Sequence, residues 1–122
     1  MSANLTAQPI DQLLEQFLAI ALAQDLAERK SKYAQYSRLY RRMEEITAEL
    51  KRRPGDARRD LSRFFDHPNP QVRLKAAIPC LAIFPDQARS VLQDLFDGSW
   101  FPQAAEAKGI LMSMDAGRYV PD

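Results

Sequence analysis

A partial internal repeat in the second half of the chain constrains its fold more than any other feature. Residues 54–66 align with residues 85–97 at an offset of 31, and six of the thirteen positions are identical. The shared residues are Pro54, Ala57, Arg58, Leu61, Phe65 and Asp66. Past a turn, Pro70-Gln71 aligns with Pro102-Gln103 at an offset of 32, because the second turn is one residue longer. A unit of about thirty residues with two helices is typical of an α-solenoid, whose layers bury their apolar faces by stacking.

Hydrophobic periodicity predicts helices along the chain and no strands. Apolar residues recur at three- and four-residue intervals, and no segment alternates apolar and polar residues as a half-buried strand does. The predicted helices are residues 9–24, 32–53, 56–65, 70–83, 85–97 and 102–115. The period is lost around residues 25–31, which predicts a bend or a loop there. We therefore expect one all-α domain over residues 1–122, made of three antiparallel helix pairs at 9–53, 54–84 and 85–115.

The turn at residues 66–70 is the best-defined connection in the sequence. It contains two prolines that a helix interior does not tolerate, and it predicts Asn69 as N-cap with Pro70 at the first helical position. Asp66 ends one helix and Arg73 stands in the first turn of the next, so we expect an ion pair that braces the turn. A ligand-binding role for Arg73 is the alternative.

The run from Asp66 through Val72-Arg73 and Ala76-Ala77 to Leu81 resembles the HEAT repeat. The resemblance is specific over residues 54–84, weaker over 85–115, and extends to 9–53 only as a helix pair. The whole chain is also similar to an uncharacterised bacterial family of small HEAT-like proteins, known only as a domain of unknown function. The resemblance implies a short α-solenoid, a right-handed superhelix whose second helices line a concave face, and usually a binding role.

The second repeat unit departs from the HEAT pattern at one charged position. Ala105 stands where Arg73 stands in the first unit, which leaves Asp97 without an internal partner. Pairing of Arg73 with Asp97 is therefore a second alternative to the pair with Asp66.

Residues for catalysis or metal binding are scarce. His67 is the only histidine and Cys80 the only cysteine, and we expect the first in an exposed turn and the second in the core. A nucleophile needs a base within reach, and zinc needs three or four ligands; neither set is present. The four glycines form no phosphate-binding loop. We therefore expect no enzymatic activity, no cofactor and no metal.

The sequence also limits where the protein acts. No apolar run is long enough to span a membrane, so we expect no membrane partner. A single cysteine cannot form an internal disulfide, and the cytoplasm is the compartment expected for such a chain.

Charge is unevenly distributed along a chain whose formal net charge is +1. Residues 1–28 contain four acids and no Lys or Arg, whereas residues 29–63 contain twelve bases and five acids. Within this basic band, Tyr and Arg residues of the second predicted helix have the composition of a protein-recognition hot spot. The candidate binding residues are Tyr33, Arg38, Tyr40, Arg41 and Arg42. We expect a module that binds a protein partner through them.

Three alternatives remain for this band. It could be a solvated helix face with local pairs such as Arg41 with Glu45 and Glu49 with Arg53. It could bind nucleic acid, although interleaved carboxylates would repel phosphates. A toxin-neutralising inhibitor is the third alternative, with no specific residue in its favour.

Trp100 and Phe101 form an aromatic pair in the second turn. The pair could cap the open end of a solenoid, form a homodimer contact, or anchor a partner. We favour capping or a dimer contact, because terminal layers leave apolar surface uncovered.

Overall fold

The computed structural model describes residues 4–122, which are helical with short connections. The α-helices are α1 (Ile10–Arg29), α2 (Tyr33–Arg52), α3 (Pro70–Cys80), α4 (Pro85–Asp97) and α5 (Gln103–Asp115). Two 3-10 helices span Leu5–Ala7 and Ala57–Phe64. No strand occurs between residues 4 and 122, which confirms the all-α class.

The chain divides into two compact units, of which the first ends at Asp60. Within it α1 packs against α2, and the short turn at residues 30–32 makes the two helices antiparallel. The turn closes because Ser31 adopts a left-handed φ of 55° and the N–H of Lys32 donates to the carbonyl of Ala27 at 2.9 Å. The predicted apolar face of α1 is buried: Leu13, Leu14, Phe17, Ile20 and Ala21.

The second unit runs from Leu61 to Asp122 and contains α3, α4 and α5. In this unit α4 packs against both α3 and α5, and α3 also contacts α5. Seven of the eleven residues of α3 are buried, so this helix lies in the middle of the core, as its apolar residues predict. From the other helices, Leu92, Leu95, Ala107 and Leu111 complete the core of the unit.

Two helix ends differ from the sequence-based prediction. Helix α1 continues to Arg29 through the segment that was expected to bend, since Asp25 and Arg29 form an i,i+4 ion pair of 2.9 Å there. Helix α3 ends at Cys80 rather than at Ile83. Pro79 lacks the N–H that would continue the helix, and the chain leaves in tight turns.

The third predicted helix is a 3-10 helix, not an α-helix. A 3-10 helix has three residues per turn, so residues three apart share a face. Arg58, Leu61 and Phe64 have this spacing, and all three are buried. The apolar residues expected to point inward therefore do so, apart from Phe65, which is half-buried.

No helix between residues 4 and 122 has both the length and the apolar composition that crossing a membrane requires.

Candidate interaction surfaces

The five predicted binding residues all lie in the first half of α2, and all are exposed. Tyr33 is 67% exposed and Tyr40 is 46% exposed. The buried residues of α2 begin only at Met43. The first ten residues of this helix therefore face mainly solvent, and we call residues 33–42 the α2 surface.

Tyr and Arg do not lie on one face of the α2 surface. An α-helix turns about 100° per residue, so Tyr33 and Tyr40, seven residues apart, lie on the same side. Arg38 and Arg42 are each two residues from Tyr40, which places them about 160° around the helix from it. Arg41 falls between the two sides. A partner that contacts all five residues would have to wrap around about 200° of the helix, more than half of its circumference.

None of the three candidate arginines is ion-paired within the described part of the chain. The expected local pair between Arg41 and Glu45 is not formed. The expected pair between Glu49 and Arg53 is formed, with Arg53 Nε donating to Glu49 Oε2 at 2.6 Å. Arg38, Arg41 and Arg42 thus keep their hydrogen-bonding capacity for a ligand.

Arg53 also holds the N-terminal segment against the end of α2. Its Nη2 donates to the carbonyl oxygens of Leu5 at 3.0 Å and Gln8 at 2.7 Å. Arg52 Nη2 donates a second hydrogen bond to Glu49 at 2.7 Å. Both arginines lower the pKa of the Glu49 carboxyl, and Arg53 has the larger effect. This function of Arg53 could not be predicted from the sequence, because it depends on contacts between residues more than forty positions apart.

A cleft of about 320 Å³ lies beside this cluster. Its lining residues are Asn4, Leu5, Thr6, Glu45, Ala48, Glu49 and Arg52. Glu49 is already bonded to two arginines, and no histidine or cysteine lines the cleft.

The turn before α3 is built by side chains bonding to backbone. Asn69 is the predicted N-cap, and its Oδ1 accepts the N–H groups of Gln71 at 2.8 Å and Val72 at 3.4 Å. Pro70 is the first residue of the helix. His67 Nδ1 accepts the N–H of Asn69 at 3.0 Å, which gives the histidine a structural contact in the turn.

Arg73 has a different partner from the one predicted. Among the described residues no ion pair joins it to Asp66 or to Asp97. Asp66 is exposed, and Asp97 Oδ1 instead accepts from Gln93 at 3.0 Å. The Arg73 guanidinium lies 6.0 Å from the centre of the Trp100 ring, a cation–π distance, and its Nε is buried without a hydrogen-bond partner.

Trp100 lies in the turn after α4, where it contacts Gly98 of the same turn and Arg73 of α3. It packs so closely on Gly98 that a Cβ there would overlap the indole Nε1. Phe96, Trp100 and Phe101 are nevertheless exposed, the last two by 52% and 74%. Lys108 Nζ lies 5.8 Å from the centre of the Phe96 ring. We call Phe96, Trp100 and Phe101, with Arg73 and Lys108, the aromatic surface.

Two polar contacts join α3 to α5, of which the first is buried and the second is partly buried. Gln103 Nε2 donates to Gln71 Oε1 at 2.9 Å, and these glutamines occupy equivalent positions in the sequence repeat. Lys75 Nζ forms an ion pair with Glu106 Oε2 at 2.9 Å. The charged pair was not predicted, because nothing in the periodicity shows that Lys75 would be buried.

No cluster of metal ligands is present in the described part of the chain. No three residues of the types His, Cys, Asp and Glu between positions 4 and 122 lie together in a metal-binding arrangement. Cys80 is buried, as expected for a core residue.

Comparison with known proteins gives one family and one similar structure. Residues 11–115 match the family described as "Domain of unknown function (DUF2019)". The chain is 36% identical to the protein RPA1889 from Rhodopseudomonas palustris CGA009, whose crystal structure it matches with a TM-score of 0.96. The match covers 99% of this chain and 100% of that chain. No curated protein matches this sequence.

Proposed function

We propose that this chain, which belongs to the DUF2019 family, is a non-catalytic module that binds an acidic protein partner through the α2 surface. The observation that carries the proposal is the exposure of Arg38, Arg41 and Arg42 without ion pairs among the described residues. Arginine presents five donors in a planar fork that fits a carboxylate, so three free arginines favour an acidic ligand.

The tyrosines extend this surface in a way that suits protein recognition. Tyr and Arg are enriched among the residues that dominate binding energy in protein interfaces. A tyrosine ring adds apolar contact area at small cost in side-chain entropy. Because Tyr33 and Tyr40 lie on one side of α2 and Arg38 and Arg42 on the other, the partner contacts the helix along a broad, mixed surface.

A HEAT-like solenoid is part of this proposal. It is supported by the sequence repeat and by the hydrogen bond between Gln71 and Gln103, because equivalent residues of stacked layers lie next to each other. One observation opposes it: the first helix of the repeat is 3-10 at Ala57–Phe64 and α at Pro85–Asp97. The proposed site of action is the cytoplasm, where a lone cysteine stays reduced.

Nucleic-acid binding by the same arginines is the second candidate. Exposed tyrosines can stack on bases, and arginines can pair with phosphates. Glu44 and Glu45 are exposed on the next turn of the helix and would repel a phosphate backbone. The protein partner is therefore preferred.

A charge-reversal experiment tests the proposal. Arg38, Arg41 and Arg42 are changed together to Glu, and binding partners are captured from a lysate and identified. The matched control reverses three other exposed bases, Lys51, Arg59 and Arg118, which gives the same change in net charge. We expect the first variant to lose acidic partners that the wild type and the control retain. Identical partner sets for all three proteins would refute the proposal.

A salt titration separates the two candidates. Binding of labelled single-stranded RNA and DNA is followed by fluorescence anisotropy as the salt concentration rises. Phosphate binding weakens linearly on a log–log plot. If nucleic acid binds at low salt with such a slope, and the triple Glu variant loses it, the second candidate replaces the first.

A further inference from the structure

Two further surfaces lie outside α2, and the first is on α1. Glu15, Leu22 and Leu26 are four and seven residues apart, so they lie along one side of this helix, opposite its buried face. Leu22 is 41% exposed and Leu26 is 52% exposed. Glu15 is exposed, and none of its described neighbours pairs with it. We call these three residues the α1 stripe.

The second is the aromatic surface, which has the opposite charge. Its cations, Arg73 and Lys108, lie over aromatic rings and form no ion pair with a described residue. Arg73 also has the buried Nε without a partner. Trp100 is held in place by Arg73 and Gly98 while half of it stays exposed. A rigid, exposed aromatic group is the usual anchor of a protein interface.

We propose that the α1 stripe of one copy docks on the aromatic surface of a second copy, so that the protein associates with itself head to tail. The two surfaces are complementary, since leucines meet exposed aromatic rings and a carboxylate meets two cations. Both surfaces are exposed in the isolated chain, so neither is already covered within one molecule.

The symmetry of this contact follows from its chemistry. The two contacting surfaces are different, so after pairing one copy keeps a free aromatic surface and the other keeps a free stripe. Such heterologous contacts produce rings or open chains, in contrast to the self-complementary contact of a two-fold dimer. Neither surface includes the α2 surface, so self-association and binding of an acidic partner are tested separately.

Sedimentation velocity over a wide range of protein concentration provides the first measurement. We expect the wild type to associate as its concentration rises. Changing Leu22 and Leu26 together to Arg removes the stripe, and changing Phe101 to Arg disrupts the aromatic surface without deleting Trp100. Each variant should weaken self-association at least about tenfold, the effect typical of truncating an interface anchor. Val120→Arg, an equally exposed apolar position beyond the far end of α5, should have no effect.

Mixing the two variants gives the decisive measurement. The stripe variant keeps its aromatic surface and the Phe101→Arg variant keeps its stripe, so one intact contact forms between them. We expect a 1:1 complex in the mixture at concentrations where neither variant associates alone. Circular dichroism spectra and melting curves like those of the wild type verify that both variants are folded.

Three results would overturn the inference. A wild type that stays monomeric at every concentration excludes self-association through these surfaces. Association that survives in one of the variants indicates a two-fold contact through a single surface. Loss of association in both variants without recovery in the mixture shows that the stripe and the aromatic surface do not bind each other.

Discussion

At the scale of single residues, the packing around Trp100 determines what the end of the second unit presents to solvent. Arg73 lies over the ring, and Gly98 leaves the space beside it that any larger residue would fill. From the sequence, Arg73 was expected to form an ion pair, and Trp100 was expected to cap the fold or form a dimer contact. The structure joins the two residues, because the turn after α4 brings the indole to the first turn of α3.

We predict that Gly98→Ala displaces the Trp100 side chain. The backbone at Gly98 has a right-handed φ of −76°, so alanine is allowed there, but its Cβ would overlap the indole Nε1. The indole is half exposed, so displacing it uncovers little buried surface, and the loss in free energy of unfolding should stay below about 1 kcal/mol. The emission maximum of Trp100, the only tryptophan, should shift to longer wavelength.

Gly109→Ala is the matched control for this variant. A Cβ at Gly109 meets nothing within 4 Å, and the residue lies inside α5. The substitution should raise the free energy of unfolding by about 0.5–1 kcal/mol through helix propensity and leave the emission unchanged. An unchanged emission spectrum in Gly98→Ala would show that the contact with Gly98 does not hold Trp100.

At the scale of elements, the turn that ends α1 sets the direction in which α2 runs. The α1–α2 turn requires a left-handed residue, and serine occupies that position with a φ of 55°. A left-handed conformation costs a residue with a Cβ roughly 1–2 kcal/mol. Glycine is the usual residue at this position after a helix.

We predict that Ser31→Gly stabilises the protein. Relief of the left-handed strain exceeds the greater flexibility that glycine gives the unfolded chain, so the free energy of unfolding should rise by about 0.5–1 kcal/mol. Denaturant unfolding measures the change. Ser37→Gly, at an exposed position inside α2, should instead destabilise the protein by about 0.5 kcal/mol. A destabilising effect at both positions would contradict the strain argument.

At the scale of the whole molecule, acid stability depends on carboxylates in the first unit. Arg53 and Arg52 lower the pKa of Glu49, and Arg58 lowers the pKa of Asp56 through a bidentate contact of 2.9 and 2.7 Å. A carboxyl whose pKa is lowered by folding stabilises the protein above its unfolded pKa. That contribution is lost as the pH falls through the folded pKa.

We predict that the protein loses stability as the pH falls below about 4, the ordinary pKa range of Asp and Glu in an unfolded chain, because the unfolded chain takes up protons there before the folded carboxyl groups do. Glu49→Gln should be less stable than the wild type at pH 7, since Arg53 and Arg52 lose their charged partner. The difference should narrow in acid, because a protonated glutamate resembles glutamine. Urea unfolding at a series of pH values measures both curves. If the difference in free energy of unfolding between the two proteins stays constant with pH, the charge of Glu49 is not what stabilises the wild type.

Features that depend on neighbouring residues could be predicted from the sequence, whereas features that depend on distant side chains could not. Helix positions follow from local periodicity and from single residues such as Asn69 and Pro70, which act on their neighbours. The exposure of Arg38, Arg41 and Arg42 was predictable for the same reason, since their spacing places them opposite the apolar residues of the helix. Whether Arg38, Arg41 and Arg42 are paired was not predictable, because long side chains on one helix have several partners within reach.

The sequence by itself determined the all-α class, the turns at proline and glycine, and most of the apolar faces, because each depends on residues close together in the chain. The tertiary structure alone decided that Arg73 lies over Trp100, that Arg53 holds the N-terminal segment, and that Lys75 pairs with Glu106. Those contacts join residues 27, 45 and 31 positions apart. Which distant side chains meet is set by how the helices pack, and local pattern carries no information about it.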